Sequence, residues 1–211
     1  MDDRICYIIG ASGPADVYIG KQPSYIMACD KGIELLGGRK PDIAVGDFDS
    51  LGYVPEGVEV LFHPPEKDDT DVMLAVRRGL EMGMRTFVLY GCMGGRIDHA
   101  YANYQVLGFI SAHGGHGYLV GDGWVTAWIK DEAITLHGHP GGVFSVFAPA
   151  GTAGGVTIRN AKYPLERYDI TPEFPIGVSN EFISGSAEIS VEHGSLLVMW
   201  HESPESLIER I

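Results

Sequence analysis

Along the first half of the chain, short apolar runs end in Gly and polar residues and then give way to segments with helical spacing. "ICYIIGASG" and "SYIMACDKG" are such runs, and "GIELLGGRKP" predicts a short helix stopped by Gly37, Gly38 and Pro41. The run Ile43, Ala44, Val45 comes next, and "VEVLFHPPEKDD" predicts a strand entering a Pro-broken loop. "TDVMLAVRRGLEMG" sets Val72, Ala75, Val76 and Leu80 on one helical face before Gly83. "RTFVLYGCMGG" predicts a buried strand, followed by a helix from about Arg96 to His113. On that helix Ile97, Ala100, Tyr104 and Leu107 form an apolar stripe, while His99 and Asn103 share a different face. Strands separated by helices imply a parallel sheet with helices on its faces.

After "HGGHGYLVGDG" the pattern changes to short runs punctuated by Gly and Pro, among them "GGVFSVFAPAG", "GGVTIRN" and "SLLVMWHE". In "AEISVEHGSLLV", Ile189 and Val191 alternate with Glu188, Ser190 and Glu192 and enter a turn at His193-Gly194. These are expected to be antiparallel strands. The fold class expected is therefore α/β. An N-terminal parallel-sheet unit over residues 1–125 precedes a small antiparallel β-sandwich over residues 126–211.

With 211 residues, 45% of them hydrophobic, the chain can bury the core of one large domain or two small ones. Two acids precede a short apolar run at the start, which predicts no secretory signal, and no stretch approaches the roughly 20 apolar residues of a spanning helix. Cys6, Cys29 and Cys92 form no C-x-x-C pair, so reduced thiols in a cytoplasmic protein are expected. The formal charge of −13 argues against a general grip on nucleic acid, and no membrane contact is indicated. An acidic chain that handles phosphates needs a cation.

The candidate chemistry sits just after the apolar runs, where parallel sheets bind ligands. Asp30 follows "YIMAC", Asp47 and Asp49 follow "DIAV", Asp68, Asp69 and Asp71 follow "VEVLF", and Asp98 lies in "GGRIDH". Seven aspartates are thus expected at one edge, where a divalent cation would offset their repulsion. Oxygen ligands alone point to Mg²⁺. Taken singly, Asp47 or Asp71 would read as a turn former or helix cap; it is the succession at strand ends that suggests a site. "GGR" before a helix offers room for a phosphate, free N–H groups and the Arg96 fork. His137 and His139 read as loop residues, and Trp124, Trp128, Trp200 and Phe182 individually read as core.

The stretches "ACDKG", "PDIAVGDFDS", "PPEKDDTD", "YGCMGGRIDHAYAN", "KYPLE" and "GVSNEF" together resemble the thiamine pyrophosphokinase family, in family order. The resemblance implies an ATP-binding α/β domain, a thiamine-binding β-sandwich, and transfer of the pyrophosphoryl group of ATP to thiamine with release of AMP. It also implies a homodimer with active sites between subunits. By motif, Asp47, Asp49 and Asp71 look like Mg²⁺ carboxylates with Asp30 close by, and Lys67 and Arg96 like partners of the ATP phosphates. Asp98 belongs to the motif that meets both substrates. Ser179, Asn180 and Phe182 resemble the part that holds thiamine, with the ring reaching in from the partner subunit. Lys31 stands where many members carry Gly.

In-line attack by the thiamine hydroxyl on the β-phosphorus needs positioning and charge neutralisation more than covalent chemistry. Either Asp71 or Asp98 could take the hydroxyl proton. Two rivals share some of these features. "DFDS" has the D-x-D spacing of aspartyl-nucleophile phosphatases, although Leu51 stands where those enzymes usually carry Thr or Val. A non-catalytic nucleotide-binding module would bind ATP without turnover.

Overall fold

The computed structural model describes residues 2–13, 15–62 and 69–211. Two compact units divide the chain, one running to Asp122 with Leu207–Ile211 added, the other spanning Gly123–Ser206.

The first unit contains β1 (Asp2–Ile9), β2 (Ser24–Cys29), a 3-10 helix (Asp30–Leu36), β3 (Ile43–Gly46), β4 (Glu59–Phe62), α1 (Asp71–Glu81), β5 (Met84–Tyr90), α2 (Ile97–Ala112) and β6 (His116–Gly121). Its strands lie in the order β6-β5-β1-β2-β3-β4, every neighbouring pair parallel. The central strands are apolar throughout because both faces are covered: Cys6 to Ile9 and Phe87 to Tyr90 are at most 1% exposed. Helix α1 packs closely, since a Cβ on Gly79 would stand 2.6 Å from the Phe87 ring. The 3-10 helix ends at Gly37, whose φ of 58° is the left-handed stop that glycine provides.

The second unit holds eight strands: β7 (Trp124–Lys130), β8 (Ala133–His137), β9 (Val143–Phe147), β10 (Ala153–Arg159), β11 (Leu165–Ile170), β12 (Gly177–Glu181), β13 (Ser186–Ser190) and β14 (Ser195–His201). They run antiparallel in the orders β12-β9-β14-β7 and β11-β10-β13-β8. The alternation read in β13 is present, with Ala187 and Ile189 buried and Glu188 exposed. Helix α3 (Pro204–Arg210) follows β14. The chain is α/β in its first half with antiparallel strands in its second. No helix among the described residues is long and apolar enough to cross a membrane.

Two local expectations are corrected. His137 is the last residue of β8 rather than a loop residue. On α2 the buried positions are Asn103, Val106, Leu107 and Ile110, whereas Ile97 is 86% exposed. The expected apolar stripe therefore loses its first residue to solvent, and the face carrying Asn103 turns inward.

The 3-10 helix crosses the end of β1 at close range. A Cβ on Gly32 would meet the Ile9 carbonyl oxygen at 2.0 Å, a backbone atom that cannot step aside. Gly32→Ala is expected to cost about 2 kcal/mol of stability, by overpacking. Urea denaturation checks this, and a wild-type midpoint with unchanged slope would show that the crossing yields.

Candidate active site

The chain lays down β1 to β4 in one direction and then returns to place β5 on the far side of β1. At such a switch point the loops leave the strand ends in opposite directions and open a crevice. A cleft of about 440 Å³ lies there, lined by residues after β1 (Gly10, Ala11, Ser12), at the end of β2 (Cys29, Asp30), at the start of α1 (Thr70, Asp71) and along the first half of α2 and the loop before it (Gly95, Arg96, His99, Asn103). The loops after β1 and β5 touch backbone to backbone. Gly10 N–H donates to Tyr90 O and Ser12 N–H to Gly91 O, each at 2.7 Å. A Cβ on Gly91, whose φ is 62°, would lie 2.5 Å from the Gly10 oxygen.

Asp30 is the first residue beyond β2 and adopts a φ of 45°, a left-handed conformation that Asp tolerates better than most residues. Its Oδ1 accepts from the Phe48 N–H at 3.1 Å. Gly46 makes this approach possible, since a Cβ there would stand 2.2 Å from the same oxygen. On its other side Asp30 is hydrogen-bonded to Asp71. Burial, then the Asp71 charge and the shared hydrogen bond, with a smaller contribution from Asp47, raise Asp30 to about 6 against the opposing Phe48 N–H. Asp71 opens α1 directly after Thr70, whose hydroxyl caps the helix by accepting the Met73 N–H at 3.2 Å.

The segment Asp47-Phe48-Asp49 is anchored by its middle residue. Phe48 is 3% exposed at a φ of 61°, and the Asp47 carboxylate accepts the Asp49 N–H at 3.1 Å. Asp49 is exposed, and neither Asp47 nor Asp49 lines the cleft. The expected gathering of seven aspartates is narrower in the fold. Asp69 is ion-paired with Arg77 at 3.1 Å and Asp98 with Arg96 at 2.6 Å. Lys67 and Asp68 lie outside the described residues.

Among the described residues no three Asp, Glu, His or Cys side chains stand together as a chelating group. What the cleft does offer is a carboxyl pair, Asp30 and Asp71, with Asp47 within electrostatic reach. That donor set suits Mg²⁺, which takes one or two carboxylates and fills its shell with water and phosphate oxygens. A cation there would relieve the repulsion that raises Asp30.

Arg96 is the N-cap residue of α2 and forms a fork with Asp98, Nε to Oδ1 at 3.1 Å and Nη2 to Oδ2 at 2.6 Å. Asp98 also accepts the His99 N–H at 3.0 Å. The guanidinium, ahead of that N–H, holds Asp98 down to about 2. A carboxylate so low is a weak base near neutral pH.

In the second unit Ser179 lies in the left-handed region at a φ of 58°, with its N–H donating to the Ser145 hydroxyl at 3.1 Å. Asn180, 4% exposed, clasps the backbone of Tyr163: Nδ2 donates to its carbonyl at 2.7 Å, and Oδ1 accepts its N–H at 3.0 Å. Phe182 is part of the core, as its residue type alone suggests. Only 2% exposed, its ring packs against Phe144 with centroids 5.0 Å apart and covers Gly138. The exposed ring of this neighbourhood is Tyr163, 58% exposed, which the sequence reading did not single out. Ser12 and Thr70 also line the cleft, and of the two Thr70 has a signal in the sequence, as a cap residue before a helical pattern.

Comparison with known proteins gives a consistent set. Residues 18–114 match the family model described as thiamin pyrophosphokinase, catalytic domain, and residues 134–196 the one described as thiamin pyrophosphokinase, vitamin B1 binding domain. The chain is similar to the thiamine pyrophosphokinase of Bacillus subtilis (strain 168), 28% identical over 193 residues that cover 81% of this chain and 84% of the relative. Among solved structures it is similar to thiamin pyrophosphokinase from Geobacillus thermodenitrificans, with a TM-score of 0.81, 25% identity, and coverage of 95% and 98% of the two chains. Yeast thiamin pyrophosphokinase shares the fold at a TM-score of 0.75 and 12% identity, over 100% of this chain and 90% of that one.

The Asp30 carboxyl yields a prediction whose sign is fixed. Its value of about 6 in the fold exceeds the ordinary 3.8, so the folded state holds the proton more tightly. Stability from this group is complete below 3.8 and is lost as pH rises through about 6. Asp30→Asn keeps the acceptor for Phe48 N–H and removes the charge. Without metal it should be more stable than wild type at pH above 7, by about 1 kcal/mol after screening of this partly exposed group, with no gain at acid pH below the ordinary value. Urea denaturation in chelator at both pH values checks this; an equal effect at both would assign the change to something other than charge.

Proposed function

The chain belongs to the thiamine pyrophosphokinase family, and on that premise we propose that it moves the pyrophosphoryl group of ATP to the hydroxyethyl oxygen of thiamine, releasing AMP. The observation that carries the reading is the carboxyl pair Asp30–Asp71 in a switch-point cleft whose other wall is Gly95 and Arg96. In this reading residues 1–125 form the ATP-binding catalytic domain and residues 126–211 a β-sandwich that binds thiamine. Neither an aspartyl phosphatase nor a non-catalytic nucleotide module is favoured by the family matches.

Asp71, with Asp30 beside it and Asp47 and Asp49 on the adjoining turn, would hold Mg²⁺. Bound there, the ion supplies charge neutralisation on the transferring phosphates. Arg96 and Lys67 bind phosphate oxygens, Arg96 by turning part of its fork away from Asp98. The glycines of the β5–α2 loop let the phosphates approach backbone N–H groups at the start of α2. Asp71 or Asp98 takes the hydroxyl proton; Asp98, held near 2 while the Arg96 fork is on it, gains basicity as that fork turns to phosphate. Ser179 and Asn180 serve thiamine through the backbone they shape. Asn180 fixes Tyr163, whose exposed ring can stack on the cationic thiazolium or flat pyrimidine, and Phe182 braces this arrangement from within.

We place the enzyme in the cytoplasm as a homodimer with active sites between subunits. Cys6, Cys29 and Cys92 are buried and in no disulfide among the described residues, as suits a reducing compartment. Phe174, Ile176, Val178 and Ile183 expose apolar surface on the second unit, between 38% and 61% each, of the kind a subunit contact covers.

Formation of thiamine diphosphate from ATP, Mg²⁺ and thiamine, followed by chromatography, tests the assignment through variants. Asp71→Asn should melt no lower than wild type, because Thr70 still caps α1 and the charge beside Asp30 is removed, and should lose roughly a hundredfold in kcat. Near wild-type turnover at saturating Mg²⁺ would remove Asp71 from the machinery. Tyr163→Ala should raise the KM for thiamine about fivefold or more with that for ATP little changed. Phe182→Ala should instead lose about 3 to 5 kcal/mol of stability as a buried ring. The reverse pattern would restore Phe182 as the ligand face.

A further inference from the structure

Asn103 has no part in the chemistry above, yet it is 4% exposed and lines the cleft. Its Nδ2 donates to the Cys92 carbonyl at 2.8 Å. A carbonyl can only accept, so this contact fixes the amide with nitrogen on Cys92 and oxygen on the opposite side. No described residue pairs with Oδ1. Among the described residues no enclosed side-chain polar atom is left without a partner, so this oxygen reaches the space of the cleft. A nearly buried side chain thus presents one open acceptor to whatever the cleft binds.

The chemistry of ATP narrows what that acceptor meets. Ionised phosphate oxygens accept and do not donate, whereas the ribose hydroxyls and the adenine amino group are neutral donors. Asn103 lies seven positions beyond Arg96, about 10 Å along the helix axis, so the acceptor stands well away from the phosphate-binding fork. Cys92, to which the amide is tied, is part of the contact between the loops after β5 and β1, since a Cβ on Gly10 would lie 2.6 Å from its Sγ.

Resting on the assignment of ATP to this cleft, we propose that Asn103 is a positioning residue with two ends. Nδ2 holds the Cys92 peptide, and with it the loop that leads to Gly95 and Arg96, while Oδ1 accepts a hydrogen bond from a donor on the nucleoside half of ATP. The amide therefore sets the distance between the nucleoside and the phosphate-binding loop, and it selects nucleotides that carry that donor.

The test is a cycle between protein and ligand, using kcat/KM for ATP, 2′-deoxy-ATP, 3′-deoxy-ATP and the purine riboside triphosphate that lacks the amino group. In the wild type one of the three analogues should fall about fivefold to tenfold below ATP, and the identity of that analogue distinguishes hydroxyl from amino donor. In Asn103→Ala that penalty should shrink to within about twofold while ATP itself is used less well. A loss of loop order alone would lower all four substrates together and leave the penalty in place, which overturns the proposal. Three analogues used as well as ATP by the wild type also overturn it, without any variant. Asn103→Ser serves if the alanine variant does not fold. Failure of the wild type to consume ATP with thiamine is a separate result, one that removes the nucleotide assignment and this inference with it.

Discussion

The Asp30 carboxyl is pressed against Asp71 at the carboxyl edge of a parallel sheet, where burial and like charge both oppose its ionisation. Two carboxyls in this position destabilise the ligand-free fold, and the surrounding backbone holds Asp30 in place. Gly46 admits the Asp30 oxygen at a distance no side chain would allow, Phe48 N–H holds it, and Gly32 lets the helix that Asp30 begins lie across the end of β1. Asp71 is fixed independently as the opening residue of a Thr-capped helix. The packing of the first unit thus maintains a local excess of negative charge that a cation bound to phosphates would offset, which is the physical requirement of phosphoryl chemistry in an acidic protein.

Around this pair the neighbouring charges are kept in check by local partners. Arg77 holds Asp69, and Arg96 holds Asp98 low, so the acid count of the cleft is smaller than the sequence suggests. The arginine most exposed to an incoming phosphate is also the one already engaged by a carboxylate. In the proposed reading a phosphate competes with Asp98 for a fork whose geometry is prepared, and the competition favours a dianionic group over a single carboxylate.

The parallel strands of the first unit were legible because strands covered on both faces read as unbroken apolar runs, as at Cys6–Ile9 and Phe87–Tyr90. The ends of α1 and the alternation of β13 were legible for similarly local reasons. What could not be read depended on distant partners. Asn103 turns inward because Cys92 offers a carbonyl, and Phe182 is enclosed because Gly138 leaves space for its ring. Ion pairs that draw Asp69 and Asp98 aside follow the same logic: D-x-D and GGR spacing announces charge at a strand end but not which charges neighbours have claimed. Tyr163 was hidden because its backbone is held by Asn180, 17 positions along the chain.

The account turns on which phosphorus of ATP is attacked, and ³¹P NMR of one reaction of purified protein with ATP, Mg²⁺ and thiamine reads that directly. Attack at the β-phosphorus predicts AMP and thiamine diphosphate appearing in equal amounts from the first time points, with no ADP and no thiamine monophosphate. Accumulation of ADP with thiamine monophosphate, or of inorganic phosphate independent of thiamine, would contradict it.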